Sequence, residues 1–320
     1  MRIILCYPVE KHHCDQIAAT APRAEIVDAG QQGVARELVA ADIFCGHAKV
    51  PVPWDDVVRQ GRLRWIQSSA AGLDHCLVPS VVESQIIVTS ASGVLADQVS
   101  EHAVALATAL TRSLPVFFRA QDRREFIRRP TRDLHQSTVG IIGFGGVGRR
   151  LAQVLSVFKT RILATDMFPY QRPEYVAALW PPERVDELLA EVDILFLCAP
   201  LTSQTVGMIN SRAIGKMKPT ALLINVARGK LVLENDLADA LESGRLAGAA
   251  VDVTPEEPLP ETSRLWTAPN LIITPHVAGQ SARRIDDMTD FFCENLRRHQ
   301  AGEPLLNLVD KRLGFPSRSP

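Results

Sequence analysis

Three ionisable residues in the second half of this chain each follow closely on a short apolar run. Arg228 lies in Asn225-Val226-Ala227-Arg228-Gly229, after Ala221–Asn225. Glu257 lies in Asp252-Val253-Thr254-Pro255-Glu256-Glu257-Pro258, after Ala249–Val253. His276 lies in Thr274-Pro275-His276-Val277-Ala278-Gly279, after Leu271–Thr274. A guanidinium presents a planar fork that suits a carboxylate and a carbonyl oxygen, a task lysine does poorly. An imidazole can protonate a developing alkoxide and take the proton back. A carboxylate beside it favours the charged ring and fixes its orientation. The set suits hydride transfer to a 2-keto acid, in which a nicotinamide supplies the hydride and the protein supplies orientation and a proton.

The stretch Thr138–Asp166 has the context that such a cofactor needs. Thr138-Val139-Gly140-Ile141-Ile142 has the length and composition of a buried strand. Gly143-Phe144-Gly145-Gly146-Val147-Gly148 then reads G-x-G-x-x-G, and Leu151, Val154, Leu155 and Phe158 recur at helical spacing. A second run, Arg161–Thr165, ends in Asp166. Strand, glycine turn, helix, strand and acid together form the dinucleotide fingerprint. Gly143 permits the tight turn, Gly145 lets the backbone approach a pyrophosphate, and Gly148 lets the helix pack close to the sheet. The helix N-terminus offers N–H groups and a partial positive charge to the phosphates. Asp166 lies 18 residues after Gly148, near the spacing expected of an acid that accepts from a ribose diol. Its carboxylate would repel a 2′-phosphate, and no arginine is adjacent, so the pattern favours NAD over NADP.

Elsewhere, the chain must build strands whose carboxyl ends place these residues. At 320 residues, 46% hydrophobic and 22% charged, it fits two soluble domains with full cores. Lys+Arg at 35 against Asp+Glu at 36 gives a formal charge of −1, which suggests neither nucleic acid nor an anionic membrane as partner. Cys6, Cys14, Cys45, Cys76, Cys198 and Cys293 are scattered without a C-x-x-C pair, which points to a reducing cytoplasm and no metal site. Met1–Cys6 is too short for a signal peptide and reads as a strand. No apolar run approaches the ~18 residues that span a bilayer.

The first hundred residues alternate apolar runs (Ile3–Tyr7, Ala24–Val27, Asp42–Cys45, Leu63–Gln67, Ile86–Thr89) with helical segments at His12–Thr20, Gly33–Ala40 and Trp54–Gln60. This predicts a small parallel, flavodoxin-like α/β substrate domain over 1–98. Within it, Ser68-Ser69-Ala70-Ala71-Gly72 follows a strand, either as a backbone nest for a carboxylate or as a plain turn. Leu95–Leu114 reads as one long buried helix at the domain crossing, with Glu101 and His102 as satisfied polar groups at the seam rather than catalytic ones. Arg119–Arg132 carries six arginines, a solvated face or a subunit contact. Over 99–279, Asp193–Ala199 joins the runs already named in six or seven parallel strands, with helices at Glu183–Val192 and Glu234–Ser243. This is a doubly wound, Rossmann-type sheet. A last helix over Ser281–Gln300 begins a segment, 280–320, that returns to the first domain and ends in a polar tail at Ser317–Pro320.

In order and spacing, these motifs resemble the D-isomer-specific 2-hydroxyacid dehydrogenases over nearly the whole chain. The glycine turn with Asp166, Cys198-Ala199-Pro200-Leu201-Thr202, Asn225–Gly229, Val251-Asp252-Val253 with Glu257-Pro258, and Thr274–Gly279 carry the likeness. The resemblance implies Arg228 as substrate anchor, His276 as acid/base and Glu257 as its partner. It implies carboxylate binding at Ala70, Ala71 and Gly72, and a substrate domain completed by the C-terminal segment. It further implies cofactor contacts from Gly143, Gly145, Gly146, Val147, Gly148, Asp166, Cys198, Ala199, Pro200, Thr205, Val226, Ala227, Asp252, Ala278 and Gly279. Family members are usually homodimers joined through the cofactor domains. Ala71 stands where phosphite dehydrogenases carry lysine, and Glu257 where formate dehydrogenases carry glutamine. No arginine occupies Cys45-Gly46-His47, where phosphoglycerate-type members often have one. A small 2-keto acid with an uncharged tail, such as glyoxylate or hydroxypyruvate, fits what remains. The other reading is an NAD(H)-sensing regulatory scaffold of the same fold without turnover.

Overall fold

The computed structural model describes residues 1–316, so the polar tail at 317–320 lies outside the described residues. They form two compact units, Met1–Leu95 with the stretch from Ser281, and Ala96–Gln280. The expected cuts at 98/99 and 279/280 shift to 95/96 and 280/281, because the helix that opens the second unit begins at Ala96.

In the first unit, β1 (Arg2–Cys6), β2 (Glu25–Asp28), β3 (Ile43–Gly46), β4 (Trp65–Ser68) and β5 (Ile87–Thr89) pair in parallel in the order β2-β1-β3-β4-β5. This is the flavodoxin-like order. The crossovers carry α1 (Lys11–Thr20), α2 (Gly30–Glu37), α3 (Trp54–Gln60) and α4 (Pro79–Glu83). Strands β3 and β4 are buried at every position, and β1 at all but Arg2, because helices cover both faces of the sheet.

The second unit opens with α5 (Ala96–Thr111) and α6 (Leu114–Asp122), which meet at 67° where one helix was expected over Leu95–Leu114. Ser113 takes a left-handed φ of 56°, and Pro115 has no N–H to continue the ladder. No single helix among the described residues is long and apolar enough to cross a membrane. Next come β6 (Thr138–Ile142), α7 (Gly146–Ser156), β7 (Arg161–Thr165), β8 (Ala178–Trp180), α8 (Val185–Glu191), β9 (Ile194–Leu197), α9 (Ser211–Lys216), β10 (Leu222–Asn225), α10 (Glu234–Glu242), β11 (Gly248–Val251) and β12 (Leu271–Ile273). All seven strands are parallel, in the order β12-β11-β10-β9-β6-β7-β8. Ala103, Leu106 and Ala107 of α5 share one core with Leu151 and Leu155 of α7 and with β6.

Then α11 (Arg284–Ala301) returns the chain to the first unit, followed by an antiparallel pair, β13 (Val309–Asp310) and β14 (Phe315–Pro316). Phe292 and Leu296 are fully buried beside Ile3, Ile17 and Trp65. Burial of a side chain of that size stabilises by about 2 kcal/mol. Asn295, also fully buried, donates to Gln67 Oε1 at 3.0 Å and accepts the Leu306 N–H at 2.7 Å. His13 accepts the Glu10 N–H at Nδ1, 2.9 Å away, so its Nε2 carries the hydrogen it gives Asp286 at 2.9 Å. That bond ties α1 to the first turn of α11.

Candidate active site

In the seven-stranded sheet the order reverses between β6 and β9, and ligands of doubly wound folds gather at the carboxyl ends beside such a switch point. The glycine turn sits there. Gly143 has φ +91°, and a Cβ on it would lie 2.5 Å from the Ala199 nitrogen, so the turn rests directly on the backbone of Cys198 and Ala199. These two residues lie just beyond β9, whereas the apolar run had extended the strand through Ala199. A Cβ on Gly148 would meet the Gly143 carbonyl oxygen at 2.1 Å, which is why α7 can start so close to the sheet. Beside Gly145 the space is open, and no side chain caps the first turn of α7. Its N–H groups therefore remain available to an anion.

Asp166, half-buried just past β7, accepts the Phe144 N–H at 2.6 Å through Oδ2 and the Phe168 N–H at 2.9 Å through Oδ1. Each oxygen keeps a lone pair for a hydroxyl donor. An open glycine cradle, an uncapped helix end and a fixed carboxylate acceptor fit a nicotinamide dinucleotide. The Thr205 hydroxyl donates to the Pro200 carbonyl at 2.7 Å and accepts the Thr202 N–H at 2.8 Å, closing the turn after Ala199.

Strands β10, β11 and β12 are neighbours, and the loops from their carboxyl ends carry Arg228, Glu257 and His276 respectively. Buried Asn225 turns the first loop: its Oδ1 accepts the Ala227 N–H at 3.1 Å and its Nδ2 donates to the Arg228 carbonyl at 3.0 Å. Val226 is half-buried, Ala227 is buried, and the guanidinium of Arg228 donates to the Ala227 carbonyl at 2.7 Å. A Cβ on Gly229 would meet the Thr254 carbonyl carbon at 1.9 Å, so the Arg228 loop lies flush against the Glu257 loop. In that second loop, Glu257 Oε1 accepts the Thr254 N–H at 3.1 Å. Its other oxygen lies 2.7 Å from His276 Nδ1. An ionised carboxylate only accepts, so Nδ1 carries the hydrogen and Nε2 is left for proton exchange. Both side chains are exposed, His276 at 52% and Glu257 at 39%.

His276 holds a left-handed φ of 55°, uncommon for a residue with a Cβ. The clasp that keeps it there is Asp252, whose side chain is 1% exposed. Its Oδ1 accepts the Thr274 hydroxyl at 2.6 Å and the Val277 N–H at 2.9 Å, and its Oδ2 accepts the Ala278 N–H at 2.9 Å. The Asp252 carbonyl accepts the His276 N–H at 2.7 Å. Asp252, expected among the cofactor contacts, spends three acceptor positions on its own loop. His102 of α5 completes the group, with Nε2 3.0 Å from Thr274 Oγ1 and 3.4 Å from Asp252 Oδ1. It is the satisfied polar group expected from sequence, whereas Glu101 is exposed. Periodicity alone cannot pair positions 102 and 274, 172 residues apart.

In the first unit, the Ser68–Gly72 loop departs from the expected three-amide nest. The Ala70 N–H is taken by Ser68 Oγ at 3.1 Å, which leaves the N–H groups of Ala71 and Gly72 without an acceptor among the described residues. Beside it, His75 Nε2 is 3.5 Å from Ser68 Oγ, and its ring stacks on His47 with centroids 4.0 Å apart. Burial, reinforced by the neighbouring His47, pulls the His75 pKa down to about 3. The six arginines of 119–132 follow or end α6 and are exposed or half-buried.

Residues 104–278 match the model of the D-isomer specific 2-hydroxyacid dehydrogenase NAD-binding domain, more than half of the chain. The chain belongs to that family. Glyoxylate reductase of Pyrococcus furiosus is 33% identical over 262 residues, covering 79% of this chain and 77% of that protein. The human glyoxylate reductase/hydroxypyruvate reductase is 36% identical over 251 residues, 76% of each chain. Among solved structures, a D-isomer specific 2-hydroxyacid dehydrogenase from Xanthobacter autotrophicus Py2, in complex with NADPH and MES, superposes with a TM-score of 0.85 at 27% identity, covering 98% of this chain and 99% of that one. As a 2-hydroxyacid dehydrogenase, the protein is an oxidoreductase, and its cofactor domain is the seven-stranded unit.

Proposed function

We propose that the protein reduces a small 2-keto acid of the glyoxylate or hydroxypyruvate type to the D-2-hydroxy acid with NADH. The observation that carries this reading is the 2.7 Å pair of His276 Nδ1 and Glu257 Oε2, beside the Arg228 loop on adjacent strand ends of the cofactor sheet. A bound nicotinamide supplies the hydride. Arg228 turns its fork from the Ala227 carbonyl to the substrate carboxylate and keto oxygen. His276 gives its Nε2 proton to that oxygen as the alcohol forms, and Glu257 stabilises the ring while it is charged. In oxidation Nε2 takes the proton back. Within the first unit, the spare N–H groups of Ala71 and Gly72 can themselves hold a carboxylate. The glycine turn and Asp166 hold the dinucleotide, with Ala199, Pro200, Val226 and Gly279 lining its site.

Preference for NAD over NADP rests on Asp166. Two backbone N–H groups hold its carboxylate in place, so it cannot swing away from a 2′-phosphate. The Xanthobacter relative holds NADPH, which makes cofactor choice a direct test. A steady-state screen of glyoxylate, hydroxypyruvate and larger 2-keto acids with NADH and NADPH side by side is expected to show turnover, with NADH giving the higher kcat/KM. Turnover on none of them would overturn the reading and leave a nucleotide-binding scaffold. Higher kcat/KM with NADPH would remove the role given to Asp166.

The proposal includes a homodimer in the cytoplasm. In support, Phe118, Phe126 and Ile127 are 59%, 96% and 41% exposed in the cofactor unit, and none of the six cysteines is paired. Mass photometry of the purified protein is expected to give twice the 35.1 kDa chain mass. A monomer would remove that part.

A further inference from the structure

We infer that His102 is a positioning residue for the His276 loop, acting through Thr274 and Asp252. It rests on the acid/base role proposed for His276 and extends it to a helix that begins the cofactor unit.

The hydrogens in the cluster fall into one order. Asp252 is a buried carboxylate and accepts only, so the 2.6 Å contact with Thr274 Oγ1 uses the threonine's single hydroxyl hydrogen. Thr274 Oγ1 must then accept at its 3.0 Å contact with His102, and the hydrogen there belongs to His102 Nε2. A directed chain results: His102 to Thr274 to Asp252 Oδ1, which also accepts the Val277 N–H, while Oδ2 of the same carboxylate accepts the Ala278 N–H. His276 lies between the anchored residues, in a left-handed conformation that a freed loop would leave. The direction of Nε2 toward a substrate carbonyl is set by that backbone. His102 itself need not touch substrate.

The donated hydrogen is what matters, which separates this role from simple packing on α5. Gln can place an N–H near the position of the histidine Nε2, while Leu keeps volume and gives no donor. Without the donor, the Thr274 hydroxyl can rotate away from Asp252, and the carboxylate loses one of the partners that fix it under the loop.

The test uses the full-length protein in three variants, His102→Leu, His102→Gln and Thr274→Val. With glyoxylate and NADH, H102L is expected to lower kcat and kcat/KM together, by about 10- to 100-fold, because a slightly misplaced acid acts on the transition state and not on ground-state binding. H102Q is expected to restore most of that loss. T274V, which cuts the chain at its middle on a half-buried residue, is expected to behave like H102L even if H102L folds poorly. The backbone amide NMR signals of Val277 and Ala278 supply a readout that needs no turnover: they are expected to shift in H102L and T274V and stay near their wild-type positions in H102Q. Amides that do not move in H102L and T274V overturn the inference, as does an H102Q enzyme no better than H102L. A wild-type protein with no turnover on any 2-keto acid refutes the proposed function instead, and the amide signals still decide whether His102 orders the loop.

Discussion

Two carboxylates at strand ends of the cofactor sheet have the same local construction and different partners. Asp166 at the end of β7 and Asp252 at the end of β11 each accept two backbone N–H groups from loops at the carboxyl edge. Asp166 is half-buried, binds only those two groups and keeps lone pairs for a ligand. Asp252 is 1% exposed and adds Thr274 and His102 to its partners. The first clasp presents itself, and the second presents something else, the imidazole of His276. An acid after a strand can face a ligand or serve its own loop. Its remaining acceptor capacity and exposure decide which.

The contrast can be broken most directly at the residue the second clasp serves. His276→Ala is expected to lower turnover about 10³-fold, the scale of a lost general acid, while NADH binding measured by fluorescence stays near wild type. Turnover within a few-fold of wild type would mean that the clasp serves no acid/base.

Next in size is Asp252→Asn, which sets an amide N–H₂ group against backbone and hydroxyl donors that need an acceptor. It is expected to destabilise by about 3 kcal/mol in urea unfolding, whereas Asp166→Asn, at a half-buried site, is expected to cost about 1 kcal/mol. Equal losses would erase the distinction between a buried clasp and an open one.

A third loop has a histidine but no carboxylate clasp, and it sharpens the contrast through pH. His75 stays neutral in the folded protein because burial, with His47 beside it, pulls its pKa down to about 3. The unfolded chain takes up that proton near the ordinary histidine value of about 6.5. Stability from this group is therefore complete above that pH and is lost as pH falls toward 3, by about 1.5 kcal/mol between pH 6.5 and pH 5. His75→Phe should flatten that part of a plot of urea midpoint against pH. An unchanged slope would assign the acid sensitivity to other groups.

The smallest effect is expected in cofactor choice. Asp166→Asn keeps a carbonyl acceptor but removes the charge, and should move the NADPH/NADH ratio of kcat/KM about tenfold toward NADPH. No change in the ratio would mean that the first clasp presents no charge to the ribose.

What was legible in the sequence was what lies close together along it. The glycine turn, Asp166 and the three loop residues each follow an apolar run within a few positions, and a parallel sheet turns such nearness into a shared edge. The strand β8 went unread although Tyr175–Trp180 is apolar, because Ala178–Trp180 is only three residues long and lies half-buried at the edge of the sheet. The bend between α5 and α6 was hidden because the apolar pattern continues across it, while Ser113 and Pro115 break the backbone beneath. The spare amides of Ala71 and Gly72 needed coordinates to show that Ser68 had claimed the one at Ala70. His102 stood out as polar in an apolar helix, but its partners depend on how α5 lies against the end of β12.

The first unit is closed by α11, whose Phe292, Asn295 and Leu296 fill the face around Trp65 and Gln67. On the ribosome, all of residues 96–280 emerge between the two halves of that face. A nascent chain therefore carries an incomplete first unit, with Trp65 lacking its cover, through the synthesis of the entire cofactor unit, and the unit that begins first is the last to have all its residues.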